Sequence, residues 1–272
     1  MTNTRSRNTI AALLSPIGVS YLAANWGDKA AARRLYHFYA EDTMQTQRVM
    51  VYLDGYNFYY SRLRGTAFKW LDVVALFRDQ ILKPQLPAAT LAAVKYFTAP
   101  AMAKFASHGV DSVTAQNEYH RALKAKYPQA LEIILGYHAV EHTRLMAYRE
   151  PPDKNQRLAV WRIEEKQTDV NIALSVYRDV AQGRADVVVI CSNDSDLVPV
   201  VKAIQADFPA CLIGIVAPLN EPISSRHRRT NTELAQLANW TRHYIRDEEL
   251  AKAQLPDVVP TKKKAARKPA HW

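Results

Sequence analysis

Acidic side chains follow two apolar segments of the sequence, at the point where each segment ends. Asp54 comes directly after the apolar run at residues 49–53, and Asp194 and Asp196 follow the run at residues 187–191. Continuous apolar runs of this length are typical of strands that are buried on both faces of a parallel sheet. Ligands of open α/β sheets bind beyond the carboxyl ends of such strands. The three acids are therefore candidate functional residues.

A fourth acid, Asp169, opens the helix predicted over residues 169–181. Carboxylates that are brought together raise one another's pKa unless a cation neutralises them. Their oxygens are hard ligands, which Mg²⁺ and Mn²⁺ prefer. The pattern therefore indicates an acidic pocket that is suited to one of these ions.

Each acid also fits an ordinary structural role. Asp54 precedes a glycine, and Asp-Gly pairs favour turns. Asp194 stands where it would cap the helix predicted over residues 197–204. The helix dipole stabilises Asp169 at a helix N-terminus whatever its function. For any single acid the structural role is the simpler interpretation, and only their combination favours a site.

The composition indicates which partners to expect. The chain has 272 residues and a formal net charge of +10. An excess of Lys and Arg favours a polyanionic partner such as nucleic acid, because phosphates attract cations whatever the sequence. A basic soluble protein without such a partner has the same composition, so both interpretations remain open at this point.

Several classes of site are excluded by residue types. The two cysteines, Cys191 and Cys211, lie in or beside apolar runs, which predicts buried thiols and no disulfide framework. The histidines show no spacing typical of a zinc site. No apolar run approaches the roughly 20 residues of a membrane span. We therefore expect a cytoplasmic protein with no membrane contact.

The sequence divides into three predicted parts. An N-terminal extension covers residues 1–48, an α/β domain covers residues 49–246, and a basic tail that we expect to be disordered covers residues 247–272. In the extension, Arg5 and Arg7 precede a short, interrupted apolar stretch, a weak likeness to a signal peptide. The stretch after Pro260 has five basic residues and no acid, so it holds half of the excess positive charge. Its basic residues are Lys262, Lys263, Lys264, Arg267 and Lys268.

Strands and helices alternate along the α/β domain. Strands are predicted at residues 49–53, 92–99, 131–137, 187–191 and 211–216, with a hairpin formed by residues 144–148 and 158–163. Helices are predicted at residues 113–127, 169–181, 197–204 and 233–245. This alternation predicts a parallel sheet that is covered by helices on both faces.

Three segments in this order resemble the NYN domain family, in the LabA-like branch of the PIN-like nuclease superfamily. They are residues 51–58, 165–170 and 192–197. Each motif alone is weak, whereas all three at these spacings are specific. The resemblance covers about residues 49–246.

The chain departs from the family pattern at three positions and keeps the acids. Asn193 stands where the family usually has glycine, Leu197 where it has phenylalanine, and Gln167 where a glycine is common. Asparagine tolerates left-handed backbone angles better than most residues.

The resemblance implies a three-layer fold with a five-stranded parallel sheet in the order 3-2-1-4-5. Strands one and four then lie side by side, so their acids converge. It also implies a metal-dependent endoribonuclease that hydrolyses RNA phosphodiester bonds with Mg²⁺ or Mn²⁺. The implied catalytic and metal-binding residues are Asp54, Asp169, Asp194 and Asp196. The supporting or substrate-binding residues are Asn57, Ser192, Lys166, Arg226, Arg228 and Arg229.

Two other functions remain open from the sequence. One is a non-catalytic module that binds RNA or DNA, although clustered acids facing phosphates would oppose binding. The other is a structure-specific DNA nuclease. Nucleic acid is the expected partner, RNA before DNA, and a second copy of the chain, in a homo-oligomer, is a further candidate partner. The aromatic run of Tyr56, Phe58, Tyr59 and Tyr60 offers either a stacking face for a base or ordinary core residues.

Overall fold

The structure is a computed structural model that describes residues 46–222 and 229–272. The predicted N-terminal extension therefore lies almost entirely outside the described residues, as do Arg226 and Arg228. Gln47–Trp272 forms one compact unit. No helix of the described residues is long and apolar enough to cross a membrane.

Strands and helices alternate as the pattern predicts. The strands are β1 (Arg48–Asp54), β2 (Thr90–Thr98), β3 (Leu131–Leu135), β4 (Tyr137–Met146), β5 (Arg157–Lys166), β6 (Val187–Cys191), β7 (Leu212–Val216), β8 (Trp240–Arg242), β9 (Val258–Val259) and β10 (Ala266–Arg267). The helices are α1 (Gly55–Phe58), α2 (Val73–Ala75), α3 (Lys83–Gln85), α4 (Val110–Lys126), α5 (Thr168–Ala181), α6 (Val198–Asp207), α7 (Thr232–Leu237) and α8 (Asp247–Lys252). Turns of π-helix continue α1 over Tyr59–Leu63 and α2 over Leu76–Leu82, and a 3₁₀ turn at Ser195–Leu197 leads into α6.

A parallel sheet of six strands, in the order β3-β2-β1-β6-β7-β8, forms the centre of the fold. The five predicted strands keep the relative order that the family resemblance implies. Their number is wrong, because β8 adds a sixth strand where a helix to residue 245 was predicted.

Contacts with β7 explain why the predicted last helix stops early. The backbone N–H of Asn239 donates to the carbonyl of Ile213 at 2.8 Å, and the Asn239 side chain accepts the Ile213 N–H at 2.7 Å. The indole of Trp240 then packs on Gly214, where a Cβ would lie 2.2 Å from the ring. These contacts are distant in sequence, so helical periodicity alone could not reveal them.

Side chains of the central strands point alternately into two cores. Val49, Val51 and Leu53 of β1 pack in one core with the helical segment before β2 and with α4. Met50 and Tyr52 pack in the other core, with α5, α6 and α7. This burial on both faces is what the uninterrupted apolar runs predict.

The basic C-terminal segment is ordered in the structure, whereas its charge pattern predicts disorder. β9 and β10 pair in antiparallel fashion, Ala266 is buried, and the ring of Trp272 lies 6.2 Å from that of Trp70. Ala253, Leu255, Val259 and Ala266, which lie on either side of the three consecutive lysines, are buried. Burial of these residues offsets the entropy that ordering the chain costs.

β4 and β5 form a separate two-stranded antiparallel ribbon. Its register runs from Tyr137 opposite Lys166 to Met146 opposite Arg157, which makes it longer than the predicted hairpin. The ribbon is not hydrogen-bonded to the six-stranded sheet. Its β5 strand leads directly into α5, so the ribbon begins beside the predicted acidic pocket.

Candidate active site

Asp54 is held at the junction of β1 and β6. The register places Leu53 opposite Cys191, so Asp54 meets Ser192. The Ser192 hydroxyl donates to one carboxylate oxygen of Asp54 at 2.8 Å, and the N–H of Asn57 donates to the other at 2.9 Å. Asp54 is only 3% exposed, so these two bonds fix its direction.

Gly55 allows the chain to turn immediately after Asp54. A Cβ at this position would lie 2.6 Å from the carbonyl oxygen of Phe97 on β2, closer than side chains approach backbone. Glycine therefore lets α1 begin directly against the neighbouring strand. Asp54, the last residue of β1, is therefore the residue whose side chain enters the pocket.

The pKa of Asp54 is raised from 3.8 to about 7. Burial is the main cause, and the negative charges of Asp169 and Glu165 add to it. The two hydrogen bonds act in the opposite direction but do not compensate. A carboxyl with this pKa is close to half protonated at neutral pH.

Asp169 approaches from the first turn of α5 and is half-buried. Burial raises its pKa, and the charges of Asp194 and Asp196 raise it further. Asp169 thus interacts electrostatically with Asp54 on one side and with the β6 loop on the other. The residue before α5, Gln167, has a left-handed φ of 72° where the family commonly has glycine. The chain changes direction at this residue, between the end of β5 and the start of α5.

Asp194 and Asp196 occupy the loop after β6. A carboxylate oxygen of Asp194 accepts the N–H of Asp196 at 3.0 Å, so Asp194 caps the 3₁₀ turn as well as facing the pocket. The Ser192 hydroxyl accepts the N–H of Asp194 at 3.1 Å while donating to Asp54. One serine therefore connects the two acidic loops. Asp196 is the most exposed of the group.

The predicted supporting residues are placed differently from one another. Ser192 contacts Asp54 directly, and Asn57 contributes its backbone N–H while its side-chain oxygen is buried without a hydrogen-bond partner. The Lys166 ammonium is paired with Glu164. Arg229 contributes its backbone carbonyl, which accepts the side-chain amide of Asn193 at 3.0 Å.

The sequence interpretation missed a role for Asn193 as a bridge between loops. Its backbone φ is not left-handed, since Gln167 is the non-glycine residue with positive φ within the described ranges. Its side-chain oxygen accepts the N–H of Asn231 at 2.6 Å, and Asn231 in turn caps α7. Asn193 thus ties the acidic loop to the segment that carries Arg229. The sequence signal for this role was that Asn193 stands where the family usually has glycine.

Glu165 was also missed, although it lies in the segment that carries the family resemblance. It is half-buried, it accepts a hydrogen bond from the Thr168 hydroxyl, and its charge raises the pKa of Asp54. Burial, and then the charge of Asp169, raises its own pKa. A fifth carboxylate therefore belongs to the same electrostatic cluster.

The cluster fits a hard divalent cation by donor type and by charge. No Lys or Arg within residues 46–222 and 229–272 forms an ion pair with Asp54 or with the three other predicted ligands. Oxygen donors carrying uncompensated negative charge suit Mg²⁺ or Mn²⁺. No three acidic, His or Cys side chains of the described chain converge closely enough to hold an ion as they stand. For these side chains to hold an ion, the more exposed acids would have to turn inward.

Comparison with known proteins decides the family. The NYN domain matches residues 48–229. The chain belongs to the NYN domain family. Membership carries a PIN-like nuclease fold, in agreement with the sheet and the acidic edge described above. Assignment of this NYN domain to the LabA-like branch remains a prediction.

One relative of this chain is named as a monooxygenase and not as a nuclease. The chain is 40% identical over 241 residues to 6-hydroxy-3-succinoylpyridine 3-monooxygenase HspA of Pseudomonas putida, covering 83% of this chain and 75% of the relative. Among solved structures, a protein of unknown function, VPA0982 from Vibrio parahaemolyticus, matches with a TM-score of 0.44 at 16% identity, over 75% of this chain and 95% of that one. This last likeness is too weak to support an argument.

Proposed function

We propose that this NYN domain is a metal-dependent endoribonuclease. The observation that carries the proposal is the cluster of Asp54, Asp169, Asp194 and Asp196 near the edge between β1 and β6, whose charges are coupled through Asp169. Within the described residues, none of the four forms an ion pair with a Lys or Arg. Such a cluster repels an anionic substrate unless a cation occupies it. The carboxylates therefore serve a phosphodiester substrate only together with Mg²⁺ or Mn²⁺.

The chain's own residues hold and orient the reacting groups. Asp54 is fixed by Ser192 and Asn57 and has a pKa near 7, so it gives up its proton readily when a positive charge arrives. Asp169 and Asp194 supply further oxygens from α5 and the β6 loop. Asp196, the most exposed acid, is our candidate for orienting the attacking water. A divalent ion in such a site lowers the pKa of water and stabilises charge that develops on the phosphate.

The proposal is tested by cleavage of labelled single-stranded and double-stranded RNA and DNA with Mg²⁺, Mn²⁺ or EDTA. We expect cleavage of RNA that depends on the metal. Asp54→Asn and Asp194→Asn should each lower the rate by at least about 100-fold. Asp79→Asn is the matched control, since Asp79 is exposed and paired with Arg78. Cleavage that survives in both site variants would refute the proposal. Preferential cleavage of DNA would change the proposed substrate from RNA to DNA.

A second candidate function follows from the relative that is named a monooxygenase. Identity of 40% over 83% of this chain makes a hydroxylase of a pyridine-type ring the alternative. Such a reaction places one oxygen atom of O₂ on the ring and reduces the other to water with two electrons from an external reductant. The glycines of the chain do not form a G-x-G-x-x-G dinucleotide motif, so the sequence offers no familiar site for the reductant. We therefore rank this function second.

The two functions are separated by one pair of assays on the same preparation. Oxygen uptake and product mass are followed with 6-hydroxy-3-succinoylpyridine and NADH, with and without added flavin. Hydroxylation that is absent while metal-dependent RNA cleavage is present supports the nuclease. Hydroxylation without cleavage supports the alternative.

A further inference from the structure

Exposed aromatic rings lie beside the acidic cluster. Tyr56 and Tyr60 follow Asp54 on the helical turn and are 45% and 49% exposed. Their ring centroids are 4.4 Å apart, and the guanidinium of Arg64 lies 5.4 Å from the Tyr60 ring. Aromatic residues that serve only the core would be covered. This pair instead forms an accessible platform with a cation at its edge.

One face of the β4–β5 ribbon extends this platform. In the ribbon register, His138 lies opposite Glu165 and His142 lies opposite Trp161. Residues directly opposite each other point to the same side, and so do residues two apart along a strand. The Tyr56 ring is 6.4 Å from that of His138, which joins the platform to the ribbon. The surface therefore runs from the acidic cluster outward along the ribbon.

Trp161 forms a second platform on the same face. It is 53% exposed, and the ammonium of Lys104 lies 3.8 Å from the centre of its ring. His142, opposite Trp161, is four residues from His138, a separation of roughly 13 Å along a strand. Each end of the surface thus carries an aromatic ring together with a cation.

We propose that this surface holds a single-stranded polynucleotide that runs from the acidic cluster outward along the ribbon. Bases would stack on Tyr56 and Tyr60 at one end and on Trp161 at the other, with Arg64 and Lys104 near the phosphates. Stacking on exposed aromatic rings requires bases that are not paired with a second strand. Two platforms this far apart, each with its own cation, suit an extended polyanion better than a small ring compound. The inference rests on the proposed nuclease function and specifies its substrate.

The charges on the ribbon are consistent with this occupant. Glu164 points to the opposite face and is paired with Arg162 and Lys166, so it does not oppose a phosphate on the proposed surface. Glu165 lies at the inner end of the surface, beside the carboxylates of the proposed metal site. The opposite face carries Leu158, which is also exposed and provides a control.

The test measures binding separately from cleavage. Fluorescence anisotropy of labelled single-stranded RNA is recorded in EDTA with full-length Asp194→Asn protein as the background. Adding Trp161→Ala or Tyr60→Ala should weaken binding by about 5-fold to 100-fold each, as expected when stacking on one base is lost. Trp161→Phe should retain most of the affinity. Duplex RNA of the same length should bind more weakly and show no dependence on Trp161.

Two exposed residues outside the surface serve as controls. Leu158→Ala removes an apolar side chain that is 61% exposed on the other face, and Tyr148→Ala removes an aromatic ring that is 92% exposed beyond the end of β4. Both should leave the dissociation constant within about 2-fold, in the range of surface substitutions. Circular dichroism and thermal melting of all variants check that the fold is retained.

The outcomes separate this inference from the proposed function. Equal binding by the Trp161→Ala and Leu158→Ala variants would overturn the surface, even if metal-dependent cleavage is intact. Binding that depends on Trp161 without cleavage under any metal would keep the surface and remove the catalytic proposal. A dimer in sedimentation velocity that Trp161→Ala dissociates, with RNA affinity unchanged, would assign this face to a second copy of the chain and overturn the inference.

Discussion

Replacing Asp54 with Asn should stabilise the metal-free protein at neutral and alkaline pH. The folded-state pKa of Asp54 is about 7, against 3.8 ordinarily. The folded protein therefore binds more protons than the unfolded chain between these two values. Its stability falls as the pH rises through this window, and the penalty is complete above about pH 7. Asparagine carries no charge, so the variant avoids the penalty.

The size of the effect follows from the same values. The difference between 3.8 and about 7, at about 1.4 kcal/mol per pKa unit, corresponds to about 4 kcal/mol as an upper limit. The amide keeps an acceptor for the Asn57 N–H, and its NH₂ donates to the Ser192 oxygen, which reverses the direction of that hydrogen bond. Exchanging a hydrogen bond to a charged group for a neutral one costs about 1 kcal/mol. A net gain of about 2–3 kcal/mol should raise the melting temperature by roughly 5–10 °C.

The assay is equilibrium unfolding of wild type and Asp54→Asn in EDTA between about pH 5 and pH 8.5. The advantage of the variant should be small at the acid end and largest at pH 8 and above. Added Mn²⁺ should stabilise the wild type and have little effect on the variant, because ligand binding to the folded state alone raises its stability. Asp79→Asn, which disrupts an exposed ion pair, should change stability little at any pH in this range.

Two results would refute the reasoning. If Asp54→Asn is less stable than wild type at pH 8 in EDTA, Asp54 is not a desolvated, uncompensated charge. If the two proteins keep a constant difference across the whole pH range, the pKa of Asp54 is not raised on folding. In either case burial does not raise the pKa of Asp54, and the argument for an uncompensated negative charge at this site fails.

Three further predictions concern stability and site geometry. Gly55→Ala should lower the free energy of unfolding by about 1–3 kcal/mol and weaken Mn²⁺ binding in a calorimetric titration, because the new Cβ meets the Phe97 backbone; unchanged Mn²⁺ affinity would contradict this. Asp179→Ala should destabilise by about 3–5 kcal/mol in urea unfolding, since Lys95, 2.7 Å away, is left without its buried partner, and a loss below 1 kcal/mol would count against it. Burial lowers the pKa of His120 to about 4, so stability should fall as the pH drops from about 6.5 towards 4, and His120→Leu should remove that part of the pH dependence.

Local pattern was enough for the strands that carry the acids. The runs at β1 and β6 are uninterrupted because these strands are buried on both faces, so their apolar composition reveals both the element and its central place in the sheet. Asp54 ends β1, and Asp194 comes three residues after the end of β6, because the chain reaches a polar environment where these strands end. The family resemblance supplied their order in space, and the register of β1 with β6 agrees with it.

Features that depend on partners distant in sequence were not predictable in this way. β8 forms because Asn239 bonds to Ile213 and Trp240 packs on Gly214. The periodicity of a helix or a strand cannot reveal these contacts. The C-terminal segment is ordered because Trp272 reaches Trp70, although its local charge is typical of a disordered tail.

The chemistry of the site divides along the same line. The sequence determines which side chains the site contains and where they follow the strands. It does so because neighbouring residues specify each strand and turn. The pKa of Asp54, the bridging by Asn193, and the line of exposed rings from Tyr56 to Trp161 arise only when separate segments pack together. Burial and electrostatic coupling depend on distances in space, and the folded chain alone determines those distances.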